Sequence, residues 1–192
     1  MSVTELSTPL QPSTMNVAFR HILVATDFSQ PSRRALCEAL LLAAENNSEL
    51  TIIHVLPGDR KPAEKFSEPD PEKIAIEKQM KALLDELKPQ QKIGTLVKHG
   101  QVSTQVLSII EEKGIDLLVI GTRGRGGIQK LALGSVAEEL LRAAPCPVMT
   151  IGPNAEMPSA AHERGFHTIL FATDFGKGSK KALPLALTLA KA

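Results

Sequence analysis

The chain has 192 residues, 43% of them hydrophobic, and a formal net charge of +1 at pH 7. That is enough apolar material for a full core, and so balanced a charge gives no drive toward nucleic acid. Two cysteines, Cys37 and Cys146, lack metal-ligand spacing and a disulfide pattern, and no apolar run reaches membrane-spanning length.

Residues 1–18 are polar, rich in Ser, Thr and Pro, and lack the apolar core of a signal peptide, so a disordered tail is expected. A first strand is expected at about 21 to 26 (HILVAT). Asp27 follows it. Its carboxylate can accept hydrogen bonds from a ribose or base, or help hold a metal on phosphates; it also fits a turn-forming Asp that caps the next helix. That helix, about 31 to 46, has Pro31 in its first turn and Leu36, Leu40 and Ala43 at helical spacing. Arg33 and Arg34 read as solvated helix surface.

A second strand, about 50 to 55 (LTIIHV), carries His54 and leads to a polar loop over 57–71 that fits a lid or a disordered segment. The helix at about 71 to 88 places Ile76, Met80, Leu83, Leu84 and Leu87 on one stripe. A third strand at about 93 to 98 precedes a helix at about 102 to 113, which stops at Gly114, a residue suited to a left-handed C-terminal cap. Val-, Ile- and Leu-rich strands alternating with helices imply a doubly wound α/β domain whose sheet is covered on both faces.

The fourth strand, about 116 to 120, opens the most telling stretch, DLLVIGTRGRGGIQKLALGSVAEELLRAA. Gly121 and Gly124 are followed, after nine residues, by Gly134 and Ser135. Glycines here can adopt positive φ and let backbone N–H groups approach an anion. Gly134 and Ser135 open a helix over about 135 to 144, whose free N–H groups favour negative charge, with Val136, Leu140 and Leu141 on one face. Gly126 is followed by Gly127 and Ile128, which excludes a Walker A loop, and Gln129 stands where a dinucleotide fingerprint needs its third Gly. The plainer reading is a wide turn followed by a capping box from Ser135 to Glu138. The last strand of the domain is expected at 147–151 (PVMTI).

These residues resemble the universal stress protein family in its ATP-binding branch. The resemblance covers nearly all of 20–152 and rests on ILVATDFS, on the His54-Val55 pair, on DLLVIGTRGRGG and on GSVAEELL before PVMTI. It implies five parallel strands in the order 3-2-1-4-5, a Rossmann-like, adenine nucleotide α-hydrolase-like sheet, with ATP at the switch point. Ala25, Thr26, Asp27 and the backbone of Val55 would meet the adenosine end, and Ile120 and Gly121 would line the same crevice. Gly124, Gly134, Ser135 and Val136 would hold the phosphates. Arg123 and Arg125 are assigned to phosphate from their charge alone, and Asp27 could hold Mg²⁺ through the phosphates. The strand over 147–151 is expected to pair with its copy in a homodimer.

The chain then repeats itself. A shift of 147 positions carries Ile22 onto Ile169, Asp27 onto Asp174, Ser32 onto Ser179, Ala35 onto Ala182 and Leu40 onto Leu187. The expected organisation is a tail at 1–18, a universal stress protein domain at 19–152, a linker at 153–166, and the start of a second, truncated repeat at 167–192. One nucleotide site is expected, and an unpaired strand at 169–172 would promote self-association.

Catalytic candidates are thin. Ser135 has no evident His-Asp pair beside it, and His21, His54, His99, His162 and His167 make no metal-spacing pattern. The reading is a cytoplasmic, nucleotide-dependent regulatory module of the stress response, with at most slow ATP hydrolysis and no nucleic-acid or membrane partner. An ATP-using enzyme and a dimerisation module with an empty site are the alternatives.

Overall fold

The computed structural model describes residues 19–58, 70–122, 133–155, 166 and 168–190. The chain divides into two compact units, one spanning Phe19–Ser159 and another that contains the C-terminal segment. The expected tail, most of the 57–71 loop, most of the linker, and Arg123, Gly124 and Arg125 lie outside the described residues.

The first unit alternates strand and helix: β1 (His21–Ala25), α1 (Gln30–Asn46), β2 (Glu49–Leu56), α2 (Pro71–Leu87), β3 (Ile93–His99), α3 (Val102–Lys113), β4 (Leu117–Gly121), α4 (Ser135–Ala143) and β5 (Val148–Ile151). The strands form one parallel sheet in the order β3-β2-β1-β4-β5. Every expected element of this unit is present, with ends within a residue or two of the expected ones.

Central β1 explains the middle of the core. Ile22, Leu23 and Val24 are all fully buried, each such side chain stabilising by about 1.5 to 3 kcal/mol. Alternation sends Leu23, Ile53, Val55, Leu118 and Ile120 into one cluster with Val106, Ile109 and Ile110 of α3 and Ala137 and Leu140 of α4. The other face is covered by α1, which packs over β4, β1 and β5 and is linked to α2 by an ion pair between Arg33 and Glu86. Right-handed crossovers require this division, because the chain moves toward one edge through α1 and α2 and toward the other through α3 and α4.

Coverage fades at β3, the edge strand, where α2 buries only Met80; its other expected stripe residues are half-buried. The Arg33-Arg34 pair is also not simply solvated: Arg33 meets Glu86, and Arg34 donates through Nη1 to the carbonyl of Pro153 beyond β5. Gly114 ends α3 at φ +59°, as its sequence position requires.

The C-terminal unit contains α5 (Lys177–Leu189), preceded by residues 168–174. The expected strand at 169–172 forms no ladder among the described residues. Leu170 is 93% and Phe175 79% exposed, and α5 buries no residue. Isolated strands lack the paired backbone that defines them, so this segment has the sequence of β1 without its structure.

Candidate functional site

β1 and β4 are neighbours in parallel register, with Ala25 opposite Ile120. Their connections leave toward opposite faces, through α1 and α4. The carboxyl ends of these two strands therefore border a gap at the reversal of strand order, where open parallel sheets bind ligands.

On one side lies the turn Thr26-Asp27-Phe28-Ser29. Ser29 caps α1, its Oγ accepting from the N–H of Ser32 at 3.4 Å. Asp27 is not that cap. Its Oδ1 accepts from the N–H of Ser29 at 3.0 Å and shapes the turn. Thr26 is buried; its Oγ1 pairs with Ser32 Oγ at 3.1 Å and accepts from the N–H of Phe28 at 3.1 Å. Phe28 takes φ +62°, a left-handed conformation that these bonds and a ring contact hold in place. That contact is with His54, 4.9 Å between centroids. His54 also bonds through Nδ1 to the Thr26 carbonyl at 2.8 Å, which makes it a core residue beneath the turn. The N–H of Thr26 reaches across to Ile53, so the ends of β1 and β2, with Ala25 and Val55, are tied together.

On the other side, Gly121 does not serve positive φ as expected. A Cβ there would sit 2.8 Å from the Pro31 carbonyl carbon and 2.8 Å from the Ser32 nitrogen. Glycine is needed because the start of α1 lies directly on β4. Among the described glycines, positive φ belongs to Gly58, Gly100 and Gly114.

Gly134, rather than Ser135, is the N-cap of α4, and among the described residues no side chain caps the helix. The expected capping box is absent because Ser135 is already the first helical residue, so the N-cap position is held by Gly134, which has no side chain to accept from the N–H groups ahead of it. Glu138 turns instead to Arg142, at 2.9 Å. The N–H of Gly134 donates to the Thr122 carbonyl at 2.7 Å, which sets the start of α4 against the end of β4. Val136 (38% exposed) and Leu141 (43%) stand outward; Ala137 and Leu140 supply the buried face. The helix is thus rotated by about one position from the face expected, which leaves Ser135 and Val136 at its exposed entrance.

The structure brings together Ala25, Thr26, Asp27, Val55, Ile120, Gly121, Gly134, Ser135 and Val136 at the carboxyl end of the sheet. Sequence reading missed a side-chain hydrogen bond at that end: His99 Nε2 lies 2.8 Å from Asp70 Oδ2, and Asp70 also caps α2 through the N–H groups of Glu72 and Lys73. Burial pushes the Cys37 and Cys146 thiols up, and both are free and half-buried. Among the described residues no group of three or more His, Cys, Asp or Glu could hold a metal, and no helix is long and apolar enough to cross a membrane.

The model of the universal stress protein family matches residues 18–152. Universal stress protein A homolog 1 of Coxiella burnetii is 34% identical over 141 residues, covering 69% of this chain and 96% of that protein. A solved universal stress protein in complex with cAMP aligns with a TM-score of 0.55 at 24% identity, covering 70% of this chain and 98% of its own. Another, from Archaeoglobus fulgidus in complex with dAMP, aligns with a TM-score of 0.53 at 20% identity, covering 70% and 98%. At these identities the likeness of the two structures is one of fold.

Proposed function

The chain belongs to the universal stress protein family, and from that membership and the geometry of the crevice we propose that it binds ATP and acts as a nucleotide-dependent regulatory module of the stress response in the cytoplasm. The observation that carries this reading is the start of α4, where Gly134 carries no Cβ and no side chain caps the first turn. Such a terminus presents N–H donors and a partial positive charge, worth about 0.3 to 1 kcal/mol toward an anion when exposed and up to about 2 when partly buried.

Ala25, Thr26, Asp27 and the Val55 backbone would hold the adenosine, Ile120 and Gly121 would line the crevice, and Gly134, Ser135 and Val136 would hold phosphates. Gly124, by its spacing in the sequence, and Arg123 and Arg125, by their charge, would complete the phosphate end. Adenine nucleotides as a class are supported by the cAMP and dAMP complexes of solved universal stress proteins. The glycine spacing and the two arginines favour a triphosphate among them. Among the described residues at the crevice the carboxylate for Mg²⁺ would be Asp27, so the metal would arrive with the phosphates. The role assigned to the site is binding, with at most slow hydrolysis.

β5 is the last strand of the sheet, bonded only to β4 among the described residues. Its free edge, over 147–151, supports homodimer formation, and dimerisation without nucleotide is the second reading. Residues 167–192 are proposed as the opening of a second repeat, because their turn repeats three bonds of the turn at 26–32: threonine to serine hydroxyl, phenylalanine N–H to threonine hydroxyl, and aspartate Oδ1 to the N–H two residues on.

The test uses the absence of Trp and Tyr, which leaves a near-ultraviolet spectrum of weak Phe bands. Protein purified without added ligand is denatured and the released small molecules are identified by chromatography and mass. ATP or ADP near one per chain is the expected result. A clean Phe spectrum and no binding on titration with Mg-ATP would overturn the reading in favour of the dimerisation module.

A further inference from the structure

Thr122 is the residue at which the two sides of the crevice meet, and its hydroxyl is in an unusual position. The backbone is fully engaged: its N–H donates to Ile151 at 3.0 Å and its carbonyl accepts from Gly134 at 2.7 Å. The side chain is not. Thr122 is only 9% exposed, and its Oγ1 is buried with no hydrogen-bond partner among the described residues. A buried hydroxyl left unpaired is costly, and native proteins rarely keep one without a use.

Alternation indicates where this hydroxyl lies. Leu118 and Ile120 face the α3 and α4 layer, and Thr122 continues that face two residues on. It meets α4 at its N-cap, since a Cβ on Gly134 would stand 3.2 Å from the Thr122 carbonyl oxygen. Thr122, whose buried hydroxyl has no partner among the described residues, is therefore bonded through its own carbonyl to the N-cap of the uncapped α4. The one acidic group in that turn, Glu138, is drawn away to Arg142.

We infer that Thr122 is a phosphate-binding residue, whose hydroxyl donates to a phosphoryl oxygen of the nucleotide held at the start of α4. This rests on the nucleotide reading above and adds to it a side-chain donor beside the backbone N–H groups. Its energetic logic is that the free protein carries an unmet donor which the phosphate satisfies. Affinity gained in this way depends on the phosphate and not on the adenosine.

The test compares the full-length wild type with Thr122→Val, Thr122→Ser and Ser103→Ala, titrated calorimetrically with Mg-ATP and with adenosine. Ser103 is the control because its Oγ is also buried without a partner, but on α3. Thr122→Val should weaken ATP binding about tenfold, leave adenosine binding unchanged, and unfold in the free state at a temperature no lower than the wild type. Thr122→Ser and Ser103→Ala should bind ATP within about threefold of the wild type. ATP affinity unchanged in Thr122→Val overturns the inference while leaving the nucleotide reading intact. So does a drop in its free-state unfolding temperature together with equal losses for ATP and adenosine, which is the signature of a structural hydroxyl. A wild type that binds neither ligand overturns both.

Discussion

The hydroxyls of Thr26 and Ser32 are bonded at 3.1 Å, and 147 positions later those of Thr173 and Ser179 are bonded at the same 3.1 Å. The likeness extends around both turns. Phe28 and Phe175 take φ +62° and +59°, each with its N–H on the preceding threonine hydroxyl. Asp27 Oδ1 accepts from Ser29 and Asp174 Oδ1 from Gly176. The turn is thus a local structure dictated by T-D-F-x-x-x-S, formed whether or not a sheet surrounds it. Its surroundings differ: Thr26 is buried and Thr173 exposed.

That difference yields a paired prediction. Thr26→Val removes the partner of Ser32 Oγ and of the Phe28 N–H inside the core, at a position where left-handed φ already costs about 1 to 3 kcal/mol. Urea denaturation should show a loss of about 2 kcal/mol. Thr173→Val, with the same bonds in water, should stay within about 0.5 kcal/mol of the wild type. Equal effects would mean that burial does not set the value of this bond.

Gly121→Ala should destabilise by about 1 to 3 kcal/mol, since its Cβ meets backbone atoms of Pro31 and Ser32 at 2.8 Å and neither can rotate away. Gly134→Ala meets a single atom at 3.2 Å and should lose less. Chemical denaturation of both variants checks the order. The reverse order would assign the close approach to α4 rather than α1.

What the sequence made legible was whatever local chemistry decides. Gly114 stops α3, Pro31 opens α1, and the apolar runs become strands, because each of these signals acts within a few residues. What it hid depends on partners far along the chain. The exposed side of α4 was misjudged, since only the sheet beneath determines that Ala137 and not Val136 turns inward. Gly121 was read as a flexible turn residue, but its reason is the start of α1, whose Pro31 lies 90 positions away in sequence. The Asp70 to His99 contact spans 29 residues and exists only because β3 ends beside the start of α2. Around the candidate site, the placement of Gly134 and Ser135 at the start of a helix was legible from spacing, and that of Asp27 in a turn from its position after the first strand. The buried Thr122 hydroxyl, without a partner among the described residues, was not, because pairing is a property of packing.

Asp70 combines two tasks, capping α2 and meeting His99, with both side chains less than one-fifth exposed. Asp70→Ala should cost about 1 to 2 kcal/mol by loss of the cap and the contact together. Asp70→Asn keeps a capping oxygen but loses the negative charge, and should recover more than half of that loss. Thermal unfolding of the two variants separates the tasks; if Asn does no better than Ala, the contact with His99 dominates.

Glu38 on α1 gives a pH-dependent prediction. Partial burial pushes its carboxyl above the ordinary value of 4.5, and the charge of Glu45 adds to the rise. The folded protein therefore holds this proton to higher pH than the unfolded chain does. Between 4.5 and the raised value the folded state binds more protons, so stability falls as pH rises through that window and the charge remains a fixed cost above it. Glu38→Gln should then stabilise the protein at pH 7, by about 0.5 kcal/mol or less because the group is half in water. Helix propensity scarcely changes with this substitution. The gain should disappear below pH 4.5, where Glu38 is protonated in both states. Unfolding temperatures of wild type and variant from pH 4 to 8 would show curves that converge at acid pH, and parallel curves would mean that the carboxyl is not perturbed by folding.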